Sequence, residues 1–341
     1  MKAYAIGGYK EPVTLHDLPE PVAGQGEVLV AIAASSVNPL DSRLQSGAFK
    51  AILPYEMPLI LGHDLAGTVV AVGPGVIQFK AGDQVFACAG NGRIGTFAER
   101  IAIAEKDLAS KPIGLSMLEA AALPLVSLTA WQALVERAQL RSGQRVLIHA
   151  GSGGVGTVAI QLAKHLGAQV ATTVGTANVG LAKELGADVV MDYRKEAFEE
   201  RLNGYDVVLN TLGPDVLEKS LKVLKPGGKL ISISGPPDPA FARLIGANWI
   251  VRQVMRLGSL KVRRSARRRG IDYSFLFMRP DGAQLSEIAK LVDAGTIRPV
   301  IDQEFDFDAT PDALERSASG RARGKVVIRI AADGAVGRPD V

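Results

Sequence analysis

Cysteine is nearly absent from this sequence, since 341 residues contain only Cys88. A single thiol cannot form an intrachain disulfide and cannot build a cysteine-rich zinc site. The sequence also lacks any apolar run of the roughly 18 residues that a membrane span requires. Met1–Tyr4 leads into a strand-like run without the hydrophobic region of a signal peptide. We therefore predict a cytoplasmic protein, and the length allows two ordinary domains.

Two kinds of sequence rhythm divide the chain. Short β-like runs separated by turn residues occupy residues 1–118 and return in residues 290–341, which favours a small β-rich domain built from both ends of the chain. Residues 119–289 alternate strand-like runs with helical patterns of about 10–15 residues, which is typical of a doubly wound parallel sheet and an α/β fold. The strands predicted in this region are Arg145–Ala150, Gln169–Thr173, Val189–Asp192, Asp206–Thr211 and Lys229–Ser234. The run Lys325–Ile330 is predicted to be a terminal strand that rejoins the first domain.

A glycine-rich loop opens this α/β region. Gly151, Gly153 and Gly156 follow a strand in the pattern G-x-G-x-x-G, and apolar residues then recur at helical spacing. The first glycine permits a tight turn, the second lets the backbone approach a pyrophosphate, and the third allows the helix to pack closely on the strand. The N–H groups at the helix start then face the phosphates. The predicted binding loop is Gly151, Ser152, Gly153, Gly154 and Val155.

The segment after the second predicted strand carries no acidic residue. An NAD site usually places Asp or Glu about 20 residues after the glycine pattern, where the carboxylate binds the ribose 2′-hydroxyl. Here Thr172–Asn178 offers the hydroxyls of Thr173 and Thr176 instead, and Tyr193 adds another beside two basic residues. A missing carboxylate removes repulsion against a 2′-phosphate, which favours NADP(H). The alternative is that its absence only weakens the selectivity.

Five motifs, in order along the chain, resemble the medium-chain dehydrogenase/reductase superfamily. Within it the sequence looks like the zinc-independent quinone oxidoreductases and the alkenal or enone reductases. The motifs are SSVNPLD (Ser35–Asp41), PLILGHDLAGTVVAVGPGV (Pro58–Val76), AALPLVSLTAWQAL (Ala121–Leu134), AGSGGVG (Ala150–Gly156) and LKPGGKLISISG (Leu224–Gly235). The resemblance implies a GroES-like β-rich domain, a Rossmann domain for the cofactor, and a cleft between them.

The segment Gly62–Asp64 resembles the zinc-ligand segment of the zinc alcohol dehydrogenases, which share this fold. A catalytic zinc ion also needs a cysteine from the preceding loop and a further ligand. The preceding loop, Ser36–Pro39, contains no thiol, and the four-cysteine structural lobe is missing. We therefore predict that the protein binds no metal and that His63 is a structural residue of the turn.

Hydride transfer without a metal favours substrates that are already electrophilic. Quinones and α,β-unsaturated carbonyl compounds accept hydride from nicotinamide C4, and the resulting oxyanion needs only hydrogen-bond donors. The resemblance implies that Asn38 and Asp41 line the catalytic cleft and that Thr129 faces the nicotinamide ring. Tyr55 is a third catalytic candidate, as a substrate contact or a proton donor. The alternative is that Tyr55 is a loop aromatic packed on the β-rich domain.

Residues late in the chain complete the predicted cofactor site. Ser234 follows the fifth strand, at the carboxyl edge of the sheet where ligands bind in such folds. The resemblance makes Tyr273–Met278 the last Rossmann strand, which pairs with its twofold mate in a homodimer, and places Phe277 near the nicotinamide. It also implies that Arg323 and Lys325 approach the cofactor phosphates. The alternative for these two is a solvated charged turn.

A basic run, Arg252–Arg269, contains eight basic residues and no acidic one. Such a run is usually a solvated face, although it can also steer an anionic substrate, such as an acyl-phosphopantetheine, or touch a membrane surface. No nucleic-acid motif and no stacking aromatics accompany the charges, so we expect no nucleic-acid partner. We also expect no membrane partner.

Three functions are compatible with these features. The first is NADPH-dependent reduction of a quinone or an α,β-unsaturated carbonyl compound. The second is an enoyl-thioester reductase on the same scaffold, for which the basic run would recognise an anionic substrate. The third is a non-catalytic NADPH-binding protein, against which the polar residues predicted to line the cleft argue.

Overall fold

The computed structural model describes residues 1–50, 53–90 and 92–331. Its strands are β1 (Lys2–Ile6), β2 (Thr14–Asp17), β3 (Glu27–Val37), β4 (Leu59–Ile60), β5 (Asp64–Val72), β6 (Gln84–Cys88), β7 (Arg100–Ala104), β8 (Leu108–Ser110), β9 (Arg145–Ile148), β10 (Gln169–Val174), β11 (Val189–Asp192), β12 (Tyr205–Asn210), β13 (Leu224–Ser232), β14 (Asp272–Phe275), β15 (Ile301–Asp306) and β16 (Lys325–Arg329). Its helices are α1 (Pro39–Gln45), α2 (Met117–Ala121), α3 (Pro124–Trp131), α4 (Gly154–His165), α5 (Val179–Glu184), α6 (Phe198–Arg201), α7 (Pro214–Val223), α8 (Pro239–Leu244), α9 (Trp249–Gly258), α10 (Leu260–Arg268), α11 (Gly282–Asp293) and α12 (Thr310–Ala318). Among the helices in these ranges, none has both the length and the apolar character needed to cross a membrane.

The chain divides into two compact units. Unit 1 comprises residues 1–128 and the chain from Arg279 onward, and unit 2 comprises Thr129–Met278. The sequence places these boundaries elsewhere, after residue 118 and before residue 290. The difference arises because α2 packs on β3 and β5, and because α11 packs on β8. Gly282 of α11 lies so close to β8 that a Cβ there would come within 2.1 Å of the carbonyl oxygen of Leu108.

Unit 2 is built on a six-stranded sheet in the order β11-β10-β9-β12-β13-β14. Every neighbouring pair is parallel. This is the strand order of a Rossmann fold, so the predicted doubly wound sheet is confirmed. Each of the five strands predicted in this region overlaps one of the observed strands β9 to β13. The sixth, β14, ends at Phe275, three residues before the predicted end.

The strands of unit 2 are apolar along most of their length, as expected for a parallel sheet that is covered on both faces. Val146, Leu147 and Ile148 of β9 are all fully buried. Leu147 belongs to one hydrophobic cluster with Val208 of β12 and Leu230 of β13. Because the strands are parallel, their carboxyl ends meet at one edge of the sheet, and the glycine loop follows β9 at that edge.

Unit 1 contains a seven-stranded sheet in which β15, β16, β3, β5, β6 and β8 follow one another and β7 pairs with β3. A three-stranded sheet in the order β2-β1-β4 accompanies it. Strand β16 lies between β15 and β3, with Val327 opposite Ser36. The prediction that a terminal strand rejoins the β-rich first domain is therefore confirmed.

Candidate functional site

The glycine loop of unit 2 turns sharply between β9 and α4. The left-handed backbone conformation lies at Ala150, with φ +51°, rather than at the first glycine. Position 151 requires glycine because of close packing, since a Cβ there would lie 2.0 Å from the hydroxyl oxygen of Thr172. Gly156 has the predicted packing role, since its Cβ would lie 2.2 Å from the carbonyl oxygen of Ala150.

Gly153 differs from these two glycines because it faces open space. The nearest atom to a Cβ at Gly153 is the carbonyl oxygen of Ala150, at the ordinary contact distance of 3.4 Å. Gly153 is also the N-cap of α4, and no side chain caps this helix. The first N–H groups of α4 thus lack a capping partner beside an open backbone surface. These two features fit a dinucleotide pyrophosphate, which binds uncapped helix N-termini.

A second element lies against the loop. The side-chain amide of Asn178, just before α5, donates a hydrogen bond of 3.0 Å to the hydroxyl oxygen of Ser152. The other amide atom of Asn178, Oδ1, is buried and accepts no hydrogen bond from the described residues. A buried acceptor without a donor carries a free-energy cost. A ribose hydroxyl of a bound dinucleotide is a donor of the kind that would satisfy Asn178.

The carboxyl ends of β10 and β11 bring together the residues that the sequence predicts to determine cofactor selectivity. A Cβ at Gly175 would lie 3.3 Å from the hydroxyl oxygen of Tyr193 and 3.6 Å from Nε of Arg194. Thr176 donates a 2.7 Å hydrogen bond to the carboxylate of Asp192, which also accepts from the backbone N–H of Arg194 at 3.1 Å. The Thr176 hydroxyl is the main cause that lowers the pKa of Asp192 below its ordinary value.

Sequence reasoning missed this carboxylate. Asp192 ends the third predicted strand, whereas the NAD pattern places its acidic residue after the second strand. Strand β11 runs parallel to β10 with Asp192 opposite Val174, so both strand ends reach the same edge of the sheet. The signal was available, because the predicted third strand already ended at Asp192.

Thr173 lies against the glycine loop, but its side chain is buried beneath the loop. Its hydroxyl lies 3.0 Å from Nδ1 of His149, and it accepts from the backbone N–H of Ala150 at 3.3 Å. Burial lowers the pKa of His149 to about 3, so this imidazole is neutral at physiological pH. Thr173 itself is buried, and it supports the glycine loop from below.

Three further residues of the predicted cofactor site lie in unit 2, each in different surroundings. Ser234 follows β13 and donates a 2.9 Å hydrogen bond to the carbonyl oxygen of Thr211. Phe277 lies two residues beyond β14, half-buried, with its ring centroid 5.6 Å from that of Phe241. Thr129 is buried within α3.

Unit 1 contains a buried charged cluster centred on Asp64. The ammonium of Lys325 donates to Oδ1 of Asn38 at 2.5 Å, to the carbonyl oxygen of Val37 at 3.2 Å and to Oδ2 of Asp64 at 3.0 Å. Asp64 Oδ2 also accepts from the Ser36 hydroxyl at 2.8 Å and from the Asn38 amide at 2.9 Å. The resemblance implies a phosphate contact for Lys325, but all three of its donors are engaged inside unit 1.

Asn38 and Asp41 lie together at the start of α1. Asp41 accepts from the backbone N–H of Asn38 at 2.7 Å, and its other oxygen lies 2.9 Å from Nδ1 of His63. All three side chains are buried. The Asp41 carboxylate is thus bound by His63 and by the backbone of Asn38, whereas the Asn38 side chain is bound to Asp64 and Lys325.

Tyr55 and Arg323 lie nearer the surface. Tyr55 is half-buried in a loop and packs on the hydrophobic cluster of unit 1. Its backbone N–H donates a 3.4 Å hydrogen bond to the hydroxyl oxygen of Tyr9. Burial, followed by nearby Tyr9 and Asp41, raises the pKa of Tyr55 to about 12, so its phenol keeps its proton at physiological pH. Arg323 is exposed, and its backbone N–H donates to Asp302.

The single cysteine is buried in unit 1. Cys88 of β6 lies opposite Asp64 of β5. Burial first and the Asp64 carboxylate second raise the pKa of the Cys88 thiol well above its ordinary value, so the thiol is protonated at neutral pH. Among the described residues, no three His, Cys, Asp or Glu side chains cluster as a metal site would require.

A Rossmann sheet, an uncapped helix at a glycine loop, and a buried acceptor beside it are features of a dinucleotide-binding fold. Residues 24–113 match the alcohol dehydrogenase GroES-like domain family, and residues 185–328 match the zinc-binding dehydrogenase family. The chain belongs to the medium-chain dehydrogenase/reductase superfamily and, within it, to the quinone oxidoreductases and alkenal reductases. It is an oxidoreductase.

Individual relatives cover nearly the whole chain. The mitochondrial NAD(P)H oxidoreductase RTN4IP1 of Danio rerio is 35% identical over 328 residues, which are 90% of this chain and 84% of that protein. The 2-methylene-furan-3-one reductase of Solanum lycopersicum is 35% identical over 96% of this chain and 79% of that protein. The solved quinone oxidoreductase of Coxiella burnetii superposes with a TM-score of 0.85, at 30% identity, over 97% of this chain and 99% of that one. Because one relative is mitochondrial, the cytoplasmic location stays a prediction.

Proposed function

We propose that the protein is an NADPH-dependent reductase of quinones or α,β-unsaturated carbonyl compounds that works without a catalytic metal. The observation that carries the proposal is the open, uncapped start of α4 at Gly153. Two of its relatives are named as a reductase of an unsaturated furanone and as a quinone oxidoreductase, which supports the substrate class. A bound NADPH would supply hydride from nicotinamide C4.

The residues of this chain would divide the work as follows. The N–H groups at the start of α4 would bind the pyrophosphate, and Asn178 Oδ1 would accept a hydrogen bond from a ribose hydroxyl. Tyr55 is the candidate proton donor, and its raised pKa makes its phenol a weaker acid than that of an ordinary tyrosine. Asn38 and Asp41 are positioning residues that fix the start of α1.

Activity assays test the function and the metal together. We expect the purified protein to oxidise NADPH in the presence of a quinone or an unsaturated ketone, with no loss of rate in a chelator and no stoichiometric zinc by elemental analysis. A rate that the chelator abolishes and zinc restores would contradict the metal proposal. Turnover of an enoyl thioester alone would favour the second function, and NADPH binding without turnover of any substrate would favour the third.

The proposed preference for NADPH is supported by the surroundings of Gly175. The hydroxyl of Tyr193 and the guanidinium of Arg194 both lie over this residue and can bind a 2′-phosphate. The Asp192 carboxylate would repel a phosphate, but it is hydrogen-bonded to Thr176 and lies 3.6 Å from the Lys195 ammonium.

Parallel titrations check this preference. We expect NADPH to bind more tightly than NADH by about tenfold, or about 1.4 kcal/mol. Arg194→Gln should weaken NADPH binding by about the same factor and leave NADH binding unchanged, because only NADPH carries the 2′-phosphate. Arg201→Gln, an exposed arginine of the same unit, is the matched control and should change neither affinity. Equal affinities of the parent protein for both cofactors would overturn the assignment.

We also propose that the protein forms a homodimer through β14. This strand lies at the end of the sheet and pairs only with β13 within the described residues. An edge strand presents unpaired backbone N–H and C=O groups that a second copy can pair with.

A further inference from the structure

Helix α9 of unit 2 exposes an apolar face. Met255 is its only fully buried residue, whereas Trp249, Ile250, Val254 and Leu257 are between 55 and 73% exposed. Ile250, Val254 and Leu257 are spaced four and three residues apart, so they form one stripe along the helix. Isolated apolar side chains on a surface are ordinary, but a continuous stripe marks an interaction site. We call Trp249 together with these three residues the apolar stripe.

The other side chains of α9 and α10 are strongly basic. By regular helix geometry Arg252 and Arg256 lie on the side of α9 away from the stripe, roughly 100–160° around the helix from Ile250, Val254 and Leu257. Helix α10 adds further basic residues, and the whole run Arg252–Arg269 contains no acid. Among the described residues, the ion pair that this run forms joins the Lys261 ammonium to the Glu218 carboxylate at the long distance of 3.9 Å. The positive charge of the run is therefore largely uncompensated.

A cavity adjoins the same basic surface. It has a volume of about 660 Å³ and lies between α10 and β14. Arg263, Arg264 and Arg267 line it together with Tyr273. The Arg263 guanidinium donates to Ser259 and to the carbonyl oxygen of Arg256, and a space of this size lined by three arginine residues can accept an anionic headgroup.

Three classes of partner differ in how well they match this surface. A second copy would cover the apolar stripe, and β14, the proposed dimer strand, lines the neighbouring cavity, but an identical basic run offers the arginines no opposite charge. A nucleic acid would pair with the arginines but would leave the apolar stripe uncovered. An anionic lipid bilayer offers phosphate groups for the arginines and acyl chains for the stripe, and Trp residues favour the boundary between the two. Charge complementarity and the apolar stripe together single out the bilayer.

We propose that α9 and α10 form a docking surface for anionic lipid bilayers. The apolar stripe enters the boundary between headgroups and acyl chains, while the arginines of Arg252–Arg269 contact lipid phosphates. The interaction is peripheral, because α9 has only ten residues. It does not depend on the proposed reductase activity.

Sedimentation with vesicles tests the proposal on the full chain without nucleotide. We expect the protein to sediment with vesicles of phosphatidylcholine and phosphatidylglycerol, to bind vesicles of phosphatidylcholine alone at least tenfold more weakly, and to lose the difference at high salt. Val254→Glu with Leu257→Glu should weaken binding to the anionic vesicles at least tenfold. Arg252→Gln with Arg256→Gln should weaken it less and reduce its salt dependence. The matched control is Ile77→Glu with Ile113→Glu, two apolar residues of unit 1 that are more exposed than Val254 and Leu257.

The outcomes separate the bilayer from the other partners. No binding of the parent protein to anionic vesicles, equal binding to both vesicle types, or no effect of the Val254 and Leu257 substitutions would each overturn the proposal. Analytical ultracentrifugation of the same variants, without vesicles, completes the test. Conversion of a dimer into a monomer by the double glutamate variant would assign the stripe to a contact between copies and would also overturn it. An unchanged sedimentation coefficient, with vesicle binding lost, is the expected result.

Discussion

Gly153→Val is expected to abolish NADPH binding while the fold survives. The backbone of Gly153 is extended, with φ −84° and ψ 171°, which valine adopts without strain. Its Cβ would meet only the carbonyl oxygen of Ala150 at 3.4 Å, so the protein itself accommodates the side chain. The methyl groups would instead occupy the open surface beside the first N–H groups of α4. We expect a loss of affinity of at least a hundredfold, about 2.8 kcal/mol.

Calorimetric titration and chemical denaturation decide this result. Gly153→Ala should give a smaller loss of affinity, because one methyl group intrudes less than three carbons. Gly213→Val controls for stability, since Gly213 is the N-cap of α7, is also extended, and has no atom within 4 Å of its Cβ position. We expect both valine variants to lower the free energy of unfolding by about 1 kcal/mol or less. Undiminished NADPH binding by Gly153→Val would show that this loop does not hold the pyrophosphate.

The largest loss of stability is expected at Lys325. Its ammonium is buried and hydrogen-bonded to the Asp64 carboxylate, which is also buried. Lys325→Met would leave that carboxylate without a counter-charge, and breaking a buried pair in this way costs about 3–5 kcal/mol of unfolding free energy. Urea denaturation followed by circular dichroism measures the change.

A neighbouring ion pair on the same strand provides the control. Arg329 and Glu304 form a 3.0 Å pair with both side chains exposed, so Arg329→Met should cost less than about 1 kcal/mol. Asp64→Asn combined with Lys325→Met should recover much of the lost stability, because neither buried charge then remains. If Lys325→Met cost no more than Arg329→Met, the buried pair would not stabilise unit 1.

The sequence predicted the fold more completely than the site. The alternation of strand and helix in residues 119–289 depends on local periodicity, and the glycine pattern depends on three neighbouring positions, so both could be identified from the sequence. The partners of Lys325 could not, because Asp64 lies 261 residues earlier and reaches it only through the pairing of β16 with β3. Asp192 lies beside Thr176 for a similar reason, since two separate strands must first align.

The exposure of the apolar side chains of α9 could not be predicted from the sequence either. The spacing of Ile250, Val254 and Leu257 is that of an amphipathic helix, which usually turns such residues toward the core. In the structure Met255 takes that role and the stripe is left outside. Only the packing of α9 distinguishes a core face from a surface stripe, and this is why the basic run alone predicted a solvated face.

The position of β16 determines the order in which the two units can be completed on the ribosome. Unit 2 is continuous in sequence and has all of its strands once residue 278 has been synthesised. Unit 1 cannot close its sheet until Arg329 has emerged, because β16 fills the place between β15 and β3. Until then the part of β3 from Ala34 to Val37, which pairs with β16, keeps an unpaired edge that is a site for incorrect strand pairing. Unit 2 is therefore able to fold while synthesis continues, whereas the unit that begins with β1 must wait for β16.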